Sequence, residues 1–378
     1  MTIGISAFAG DSGRSGIGQY LSHVISRLPD EAPDERFVVF TTREAVSELG
    51  LSHPRLDIVA FPAWFEQPVV NILWHVFLLP MLLRWHRCKA VYLPAGNRRL
   101  GWWYGVPSVG TVHDLAQLQV EDKYDRWRMF YARSLLPAFM RRLTRVISVS
   151  EATGRDLVNR AGVAAESIRL VPNGFDQNRF QSTDRAAAAK RVASRWNVVD
   201  PYLLYVARIE HPGKNHVGLL EAYARLRATG LRHKLVLAGS PWSGADVVEA
   251  TARELGIADD VVFTGFVPNE ALGDLYAAAD VFVFPSLFEG FGIPLLEAMM
   301  AGVPVCASDR ASIPEVVGDA GLLFDPDDSS SIETCIRCLL EDPQLRQRMI
   351  RAGRQRARAF TWEAAAGRVV NVLREAQA

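Results

Sequence analysis

Short apolar, β-branched runs alternate along this chain with stretches in which apolar residues recur every three or four positions. In the first half, the runs at 2–9, 36–42, 56–62, 90–96, 107–114, 145–151 and 167–174 read as strands. "GIGQYLSHVISRLP" (16–29) reads as an amphipathic helix with Ile17, Leu21, Val24, Ile25 and Leu28 on one face, and a long helix ends near Arg142. A helix and connector at 186–200 follow, and the pattern restarts. Runs at 201–207, 233–240, 261–267, 280–286, 303–309 and 320–326 read as strands with helices between them, and 360–377 closes the chain as a helix. Consecutive apolar positions mark strands covered on both faces, which is the signature of a parallel sheet between helix layers. The pattern predicts an α/β chain of two doubly wound domains with a linker near 175–198.

Length agrees, since 378 residues exceed what one core usually organises. Net charge is zero, so bulk charge does not point to a nucleic acid. The distribution is uneven: residues 51–150 hold 13 Lys/Arg against 6 Asp/Glu and are rich in Trp. Such a basic, aromatic stretch suits an anionic ligand or an anionic membrane face. The most apolar stretch, 69–85, is interrupted by Asn71, His75 and Pro80. It falls short of the roughly 20 apolar residues of a spanning helix, so a packed or interface-lying helix is predicted. The N-terminal residues lack the basic and apolar regions of a signal peptide. Of four cysteines, Cys335 and Cys338 form C-I-R-C without the second pair a zinc site needs. They are predicted to be small buried helix residues in a chain of the reducing cytosol.

Open parallel sheets bind ligands at the carboxyl ends of their strands, so the crevice between two such sheets is the expected site. Four motifs fall at strand ends. "GDSGRSGIGQY" (10–20) carries Gly13, Gly16 and Gly18 before a helix, spaced G-x-x-G-x-G rather than as the dinucleotide fingerprint. "TVHDL" places His113 and Asp114, where His113 suits a substrate hydroxyl or a proton transfer; a histidine satisfied by backbone is the plain alternative. "VARIEHPGKNH" supplies Arg208 and Lys214, two cations suited to a diphosphate, or else a solvated loop pair. "FEGFGIPLLEAM" sets Glu289 and Glu297 around Gly290, Phe291 and Gly292, with Pro294 expected at the first helical position and Glu297 in the first turn. A helix N-terminus there binds phosphate through free N–H groups, and Glu297 suits vicinal ribose hydroxyls. The alternative for Glu297 is a carboxylate complementing the helix dipole.

E-G-F-G-I-P-L-L-E resembles the E-x7-E motif of retaining family 4 (group 1) glycosyltransferases, which have the GT-B fold of two Rossmann-like domains facing a central cleft. "ARIEHPGKNH", "SGIGQY", "VHDL", "ISVSE" and "VPNGFD" are similar to further family segments, so the resemblance spans nearly the whole chain. It implies an acceptor domain over 1–178, a donor domain over 179–358 and a terminal helix, 359–378, returning to the first domain. It implies that Glu297 holds the ribose of a nucleotide sugar and Glu289 the donor sugar. Gly290, Phe291, Gly292 and Ile293 approach sugar and phosphate through backbone amides. Arg208 and Lys214 stabilise the diphosphate, Gly16 closes a loop over it, and His113 contacts the donor sugar. No cofactor or metal is expected; Asp325 and Asp327 have D-x-D spacing but sit in the turn sequence "DPDD".

The implied reaction moves a sugar, with GDP-mannose the favoured donor and UDP-sugars or dTDP-rhamnose as alternatives. The expected acceptor is a glycan or lipid-linked glycan of bacterial surface polysaccharide synthesis. The expected location is the cytoplasm or the inner membrane face, against an anionic surface. Other classes remain open: a sugar-nucleotide epimerase, a non-catalytic sugar-nucleotide-binding subunit, and a nicotinamide dehydrogenase, which the missing G-x-G-x-x-G disfavours.

Overall fold

The computed structural model describes residues 1–8, 15–115, 131–181, 184–199 and 201–378. The chain divides into two compact units. Unit 1 is Met1–Gly174 with Thr361–Ala378, and unit 2 is Phe175–Phe360.

Among the described residues, unit 1 is built on seven strands: β1 (Thr2–Ser6), β2 (Arg36–Thr42), β3 (Leu56–Phe61), β4 (Ala90–Leu93), β5 (Ser108–Val112), β6 (Arg145–Ser148) and β7 (Ile168–Leu170). They pair in parallel in the order β3-β2-β1-β4-β5-β6-β7. Unit 2 has β8 (Tyr202–Val206), β9 (Lys234–Ala238), β10 (Val261–Phe263), β11 (Val281–Phe284), β12 (Val305–Ser308) and β13 (Leu322–Phe324). Their order is β10-β9-β8-β11-β12-β13, again all parallel. Every run read as a strand from the sequence is one. Central strands such as β4, β5 and β11 are buried at each position because helices cover both sheet faces. The strand order reverses between β1 and β4 in unit 1 and between β8 and β11 in unit 2. At such a switch point the flanking connections diverge to opposite faces and leave a crevice beyond the carboxyl ends.

Helix Gly16–Glu31 buries Tyr20, Leu21, Val24, Ile25 and Leu28, while Ile17 stays half-buried. It packs within unit 1 on the terminal helix Trp362–Glu375, whose Trp362 ring lies edge-on to Tyr20 and stacks on His23.

Two expectations change. The apolar stretch is helical without a break from Pro68 to Trp85 and passes through Asn71, His75 and Pro80, with a π turn at Trp74–Leu78. Pro80 lacks an N–H and its ring crowds the carbonyl four residues back, and the wider turn relieves both. It is the one described helix long and apolar enough to cross a membrane, yet Asn71, Trp74, His75, Leu79 and Leu83 are buried in unit 1. Cys335 and Cys338 are half-buried and exposed rather than buried, because Ile332, Ile336 and Leu339 take the core face of their helix. The helix read near 186–200 is Arg185–Trp196, preceded by the short helix Gln177–Phe180, and both belong to unit 2.

Candidate functional site

In unit 2 the residues singled out from the sequence gather at the switch point. Arg208 and Lys214 lie on the connection leaving β8, and Glu289 to Gly292 on the one leaving β11, the neighbouring strand. These two loops are tied together. Leu287 N–H donates to Gly213 O at 3.0 Å. The buried Tyr205 hydroxyl donates to Lys214 O and pairs with Ser286 Oγ, both at 2.9 Å. Lys214 Nζ then reaches Glu289 Oε1 at 2.7 Å, with both side chains mostly shielded from water. Arg208 is more open: its guanidinium lies over the exposed Trp242 ring, 4.9 Å from the centroid, and 3.4 Å from Glu210 Oε2.

The turn after Glu289 depends on one glycine. Gly292 has φ +101°, a backbone region L side chains rarely adopt, and a Cβ there would press on Leu295. That left-handed residue is the N-cap, so the helix begins at Ile293. The sequence expectation is corrected here. Pro294 is the second helical residue, and Glu297 the fifth, beyond the first turn. A dipole-complementing role therefore does not account for Glu297. Glu297 is instead buried, and its Oε2 accepts from the Tyr276 hydroxyl at 2.8 Å. Burial pushes its carboxyl up to about 7, although the Tyr276 bond and the Arg179 charge pull the other way. Tyr276 comes from the helix Asn269–Ala278.

Gly290 and Phe291 complete the loop. Ser312 Oγ lies 2.9 Å from Glu289 O and 3.0 Å from Phe291 O, and the Phe291 ring packs on Phe360. Ser312 and Tyr276 were not legible from the sequence as site residues, because a serine before a short helix and a tyrosine inside an apolar helix carry no distinctive spacing. Asp325 and Asp327 are held by Arg310 at 2.7 and 3.0 Å, and Asp325 also accepts from the Asp327 N–H, as an Asx turn does.

In unit 1, Gly16 opens the helix that follows β1. Ser15 caps this helix, its Oγ accepting from Gly18 N–H at 3.1 Å. Among the described residues a Cβ on Gly16 would meet nothing within 4 Å, and Gly16 has no positive φ. Gly13 lies outside the described residues. His113 follows β5 and is buried. Its Nε2 lies 2.8 Å from Pro94 O, which requires the Nε2–H tautomer and leaves Nδ1 as the acceptor nitrogen. Desolvation lowers its pKa to about 4, so the imidazole is neutral at physiological pH. Beneath it, the hydroxyls of Tyr20, Tyr92 and Thr111 join in a triangle of 2.8–3.2 Å, with the Tyr20 ring edge-on to His113. Among the described residues the two switch points thus differ in kind: unit 2 pairs its charges directly in the loops, whereas unit 1 buries a neutral imidazole and linked hydroxyls, with Arg98 acting on His113 as a nearby charge.

Comparisons with known proteins bear on the family and the fold. The family model for group 1 glycosyl transferases matches residues 187–356, and that for glycosyltransferase family 4 matches 14–179. The O-antigen chain mannosyltransferase B of Escherichia coli is 33% identical over 273 residues, covering 71% of this chain and 70% of that protein. An MMP α-(1→4)-mannosyltransferase of Mycolicibacterium hassiacum is 32% identical over 286 residues, 72% of this chain and 66% of that one. Among solved structures, Anabaena HepE, determined with UDP and glucose, superposes with a TM-score of 0.75 at 20% identity, covering 99% of this chain and 100% of that one. At that identity the likeness speaks for the two-sheet GT-B fold. Fold, paired family models and a relative matched over most of its length lead to one conclusion: this chain belongs to the group 1, family 4 glycosyltransferases and is an enzyme of the GT-B type.

Proposed function

We propose that this glycosyltransferase moves mannose from GDP-mannose, with retention at the anomeric carbon, to a hydroxyl of a lipid-linked glycan in surface-polysaccharide synthesis. The observation that carries the reading is the Lys214–Glu289 pair, set with Arg208 at the switch point of unit 2 and followed by the buried carboxylate of Glu297. Within the chain itself, Lys214 is neutralised by Glu289. An arriving diphosphate offers Lys214 a stronger anionic partner and frees Glu289 to accept from hydroxyls of the donor sugar. Arg208 and Lys214 then oppose the charge that develops on the leaving nucleoside diphosphate. Glu297 accepts from the ribose hydroxyls. The amides of Gly292 and Ile293 lie at the start of a helix, where N–H groups favour phosphate, and the backbone of Gly290 and Phe291 leads into that turn.

On this reading the two cations supply the charge stabilisation and no metal ion is required. Gly16 is glycine so that backbone can approach the ligand closely, and the neutral His113 serves a sugar hydroxyl through Nδ1. Mannose is favoured because two relatives matched over two thirds or so of their length are named mannosyltransferases. The enzyme would work in the cytoplasm, where nucleotide sugars are made, against the anionic inner face of the membrane.

A thermal-shift series with GDP, UDP, dTDP and ADP, then their sugars, tests the donor. GDP and GDP-mannose should raise Tm, the shift should vanish in Glu297→Ala, and EDTA should leave transfer unchanged. A shift with UDP or dTDP alone would replace the donor. No shift with folded protein would remove the donor-site reading.

A further inference from the structure

The helix Pro68–Trp85 keeps one apolar face uncovered. Val69, Leu73, Phe77, Met81 and Trp85 are each at least half exposed, at 70, 51, 66, 67 and 84%. They recur every fourth residue. In an ideal α-helix a four-residue step overshoots a turn by about 40°, so five such residues would wind well round the helix. The π turn at Trp74–Leu78, which takes more residues per turn, subtracts from that drift. The opposite face is fixed: His75 Nε2 meets Ser6 Oγ at 2.9 Å, its Nδ1 meets Asn71 O at 2.7 Å, and Leu79 and Leu83 are fully buried. The helix is therefore anchored in unit 1 along one side and apolar to water along the other.

Two further observations say what covers the open side. The exposed Trp102 and Trp103 follow Gly101, whose Cα lies so close to the His75 carbonyl that a Cβ would collide with it. This ties to the helix a segment that carries two more exposed amphipathic rings, and such rings settle at lipid headgroup level. Glu66 precedes the helix, and from there on the charge is one-signed. From Gln67 to His113 the chain has no Asp or Glu, and it has five cations: Arg84, Arg87, Lys89, Arg98 and Arg99. Arg84, Arg87 and Lys89 are exposed at the helix's end, and the exposed Arg142 lies over the Trp102 ring at 4.1 Å. Arg126 and Arg128 lie outside the described residues. A water-facing helix carries acid and base together, whereas a stripe of large apolar side chains with cations alone along it and at its C-terminal end complements an anionic bilayer surface.

We propose that this face of Pro68–Trp85, with Trp102 and Trp103, lies in the headgroup region of an anionic membrane, the helix parallel to the surface and not across it. The proposal rests on the lipid-linked acceptor reading above and names the residues that would bring unit 1 to such an acceptor.

Flotation of the full chain with phosphatidylglycerol/phosphatidylcholine vesicles tests it, alongside phosphatidylcholine-only vesicles, the variant Phe77→Ser/Met81→Ser and the variant Arg84→Gln/Arg87→Gln/Lys89→Gln. The wild type should float with the anionic vesicles. The apolar variant should partition about tenfold less or worse, and the charge variant should lose the preference for anionic lipid. Both variants should keep the wild-type thermal shift with nucleotide, because none of these side chains belongs to the donor site. Wild-type protein staying at the bottom of the gradient while the nucleotide shift persists would overturn the docking proposal and leave the transferase reading intact. So would a dimer by light scattering that the Phe77→Ser/Met81→Ser change dissolves, since the face would then belong to a second copy. Equal floating of the wild type with neutral vesicles would overturn the assignment to an anionic surface.

Discussion

The two units share a layout and differ in what they bury at the same place. Each is a parallel sheet with a switch point beside its first strand, and each puts a loop and a helix start there. Unit 2 surrounds its switch point with ionisable pairs: Lys214 on Glu289, Arg208 beside Glu210, and Glu297 buried under Tyr276. Among the described residues, unit 1 buries neutral groups there: the Tyr20–Tyr92–Thr111 hydroxyls, the neutral His113, and His75 fixed between Ser6 and Asn71, with Arg98 and Arg99 as the nearby charges that help keep the two imidazoles neutral. The same backbone topology therefore buries different groups: ion pairs in one unit, neutral hydrogen-bonding groups in the other. Charge suits a diphosphate, which gains much from fixed cations in a partly dry site. Neutral donors and acceptors suit hydroxyl groups, which a buried charge would bind less selectively.

The largest way to break this contrast is acid. His75 and His113 in unit 1 both have pKa values lowered to about 4 by burial. A folded-state pKa below the unfolded value of 6.5 gives stability that is complete above pH 6.5 and is lost as pH falls from there towards 4. At about pH 5 each histidine costs about 2 kcal/mol, so unit 1 loses about 4 kcal/mol. In unit 2, His216, also lowered to about 4, acts in the same sense, but Glu297 opposes it. Hydrogen exchange should show β1, β4 and β5 losing protection before β8 and β11 on acidification. Simultaneous loss would contradict the contrast.

Next in size is Lys214→Ala. On the proposed reading it takes a half-buried cation away from the diphosphate and should lower kcat by about 10²–10³, as losing one transition-state donor does. Circular dichroism should be unchanged. A change in KM alone would demote Lys214 to binding.

Glu297→Gln probes the raised carboxyl. Its folded pKa of about 7 lies above the ordinary 4.5, so the protein loses stability as pH climbs from about 4.5 to 7, by about 3 kcal/mol in all. Urea midpoints across that range should fall for the wild type relative to the variant. Ribose hydroxyls favour the ionised form, so nucleotide binding near pH 6 should also release a proton, seen as buffer-dependent calorimetric heats. Parallel midpoint curves would show that the carboxyl is not shifted.

The smallest effect is Ser312→Ala. Losing the hydroxyl that meets Glu289 O and Phe291 O should cost about 1 kcal/mol and raise KM for the donor more than it lowers kcat. An unchanged KM would show that the loop holds its shape without Ser312.

What the sequence alone determined was the alternation of elements and the identity of the glycine and charged motifs. Apolar runs flanked by helical periodicity leave a parallel sheet as the one good burial scheme, and all thirteen described strands follow from it. Glu289 and Glu297 stood out because carboxylates flanking a glycine turn at the end of a buried strand have no packing role to fill there. The sequence could not give the start of that helix, because Pro is comfortable in either of the first two positions and only the φ of Gly292 decides between them. Nor could it give Tyr276 over Glu297, Ser312 under the loop, or Pro94 fixing the His113 tautomer. These partners lie 19 to 21 residues apart, on different elements in each case, and only the packed sheet brings them together. Tertiary structure also decided the fate of the stretch around Pro80. Composition alone leaves it a core, surface or membrane segment, and the bonds of His75 with the burial of Leu79 and Leu83 fix which side faces inward and which stays bare.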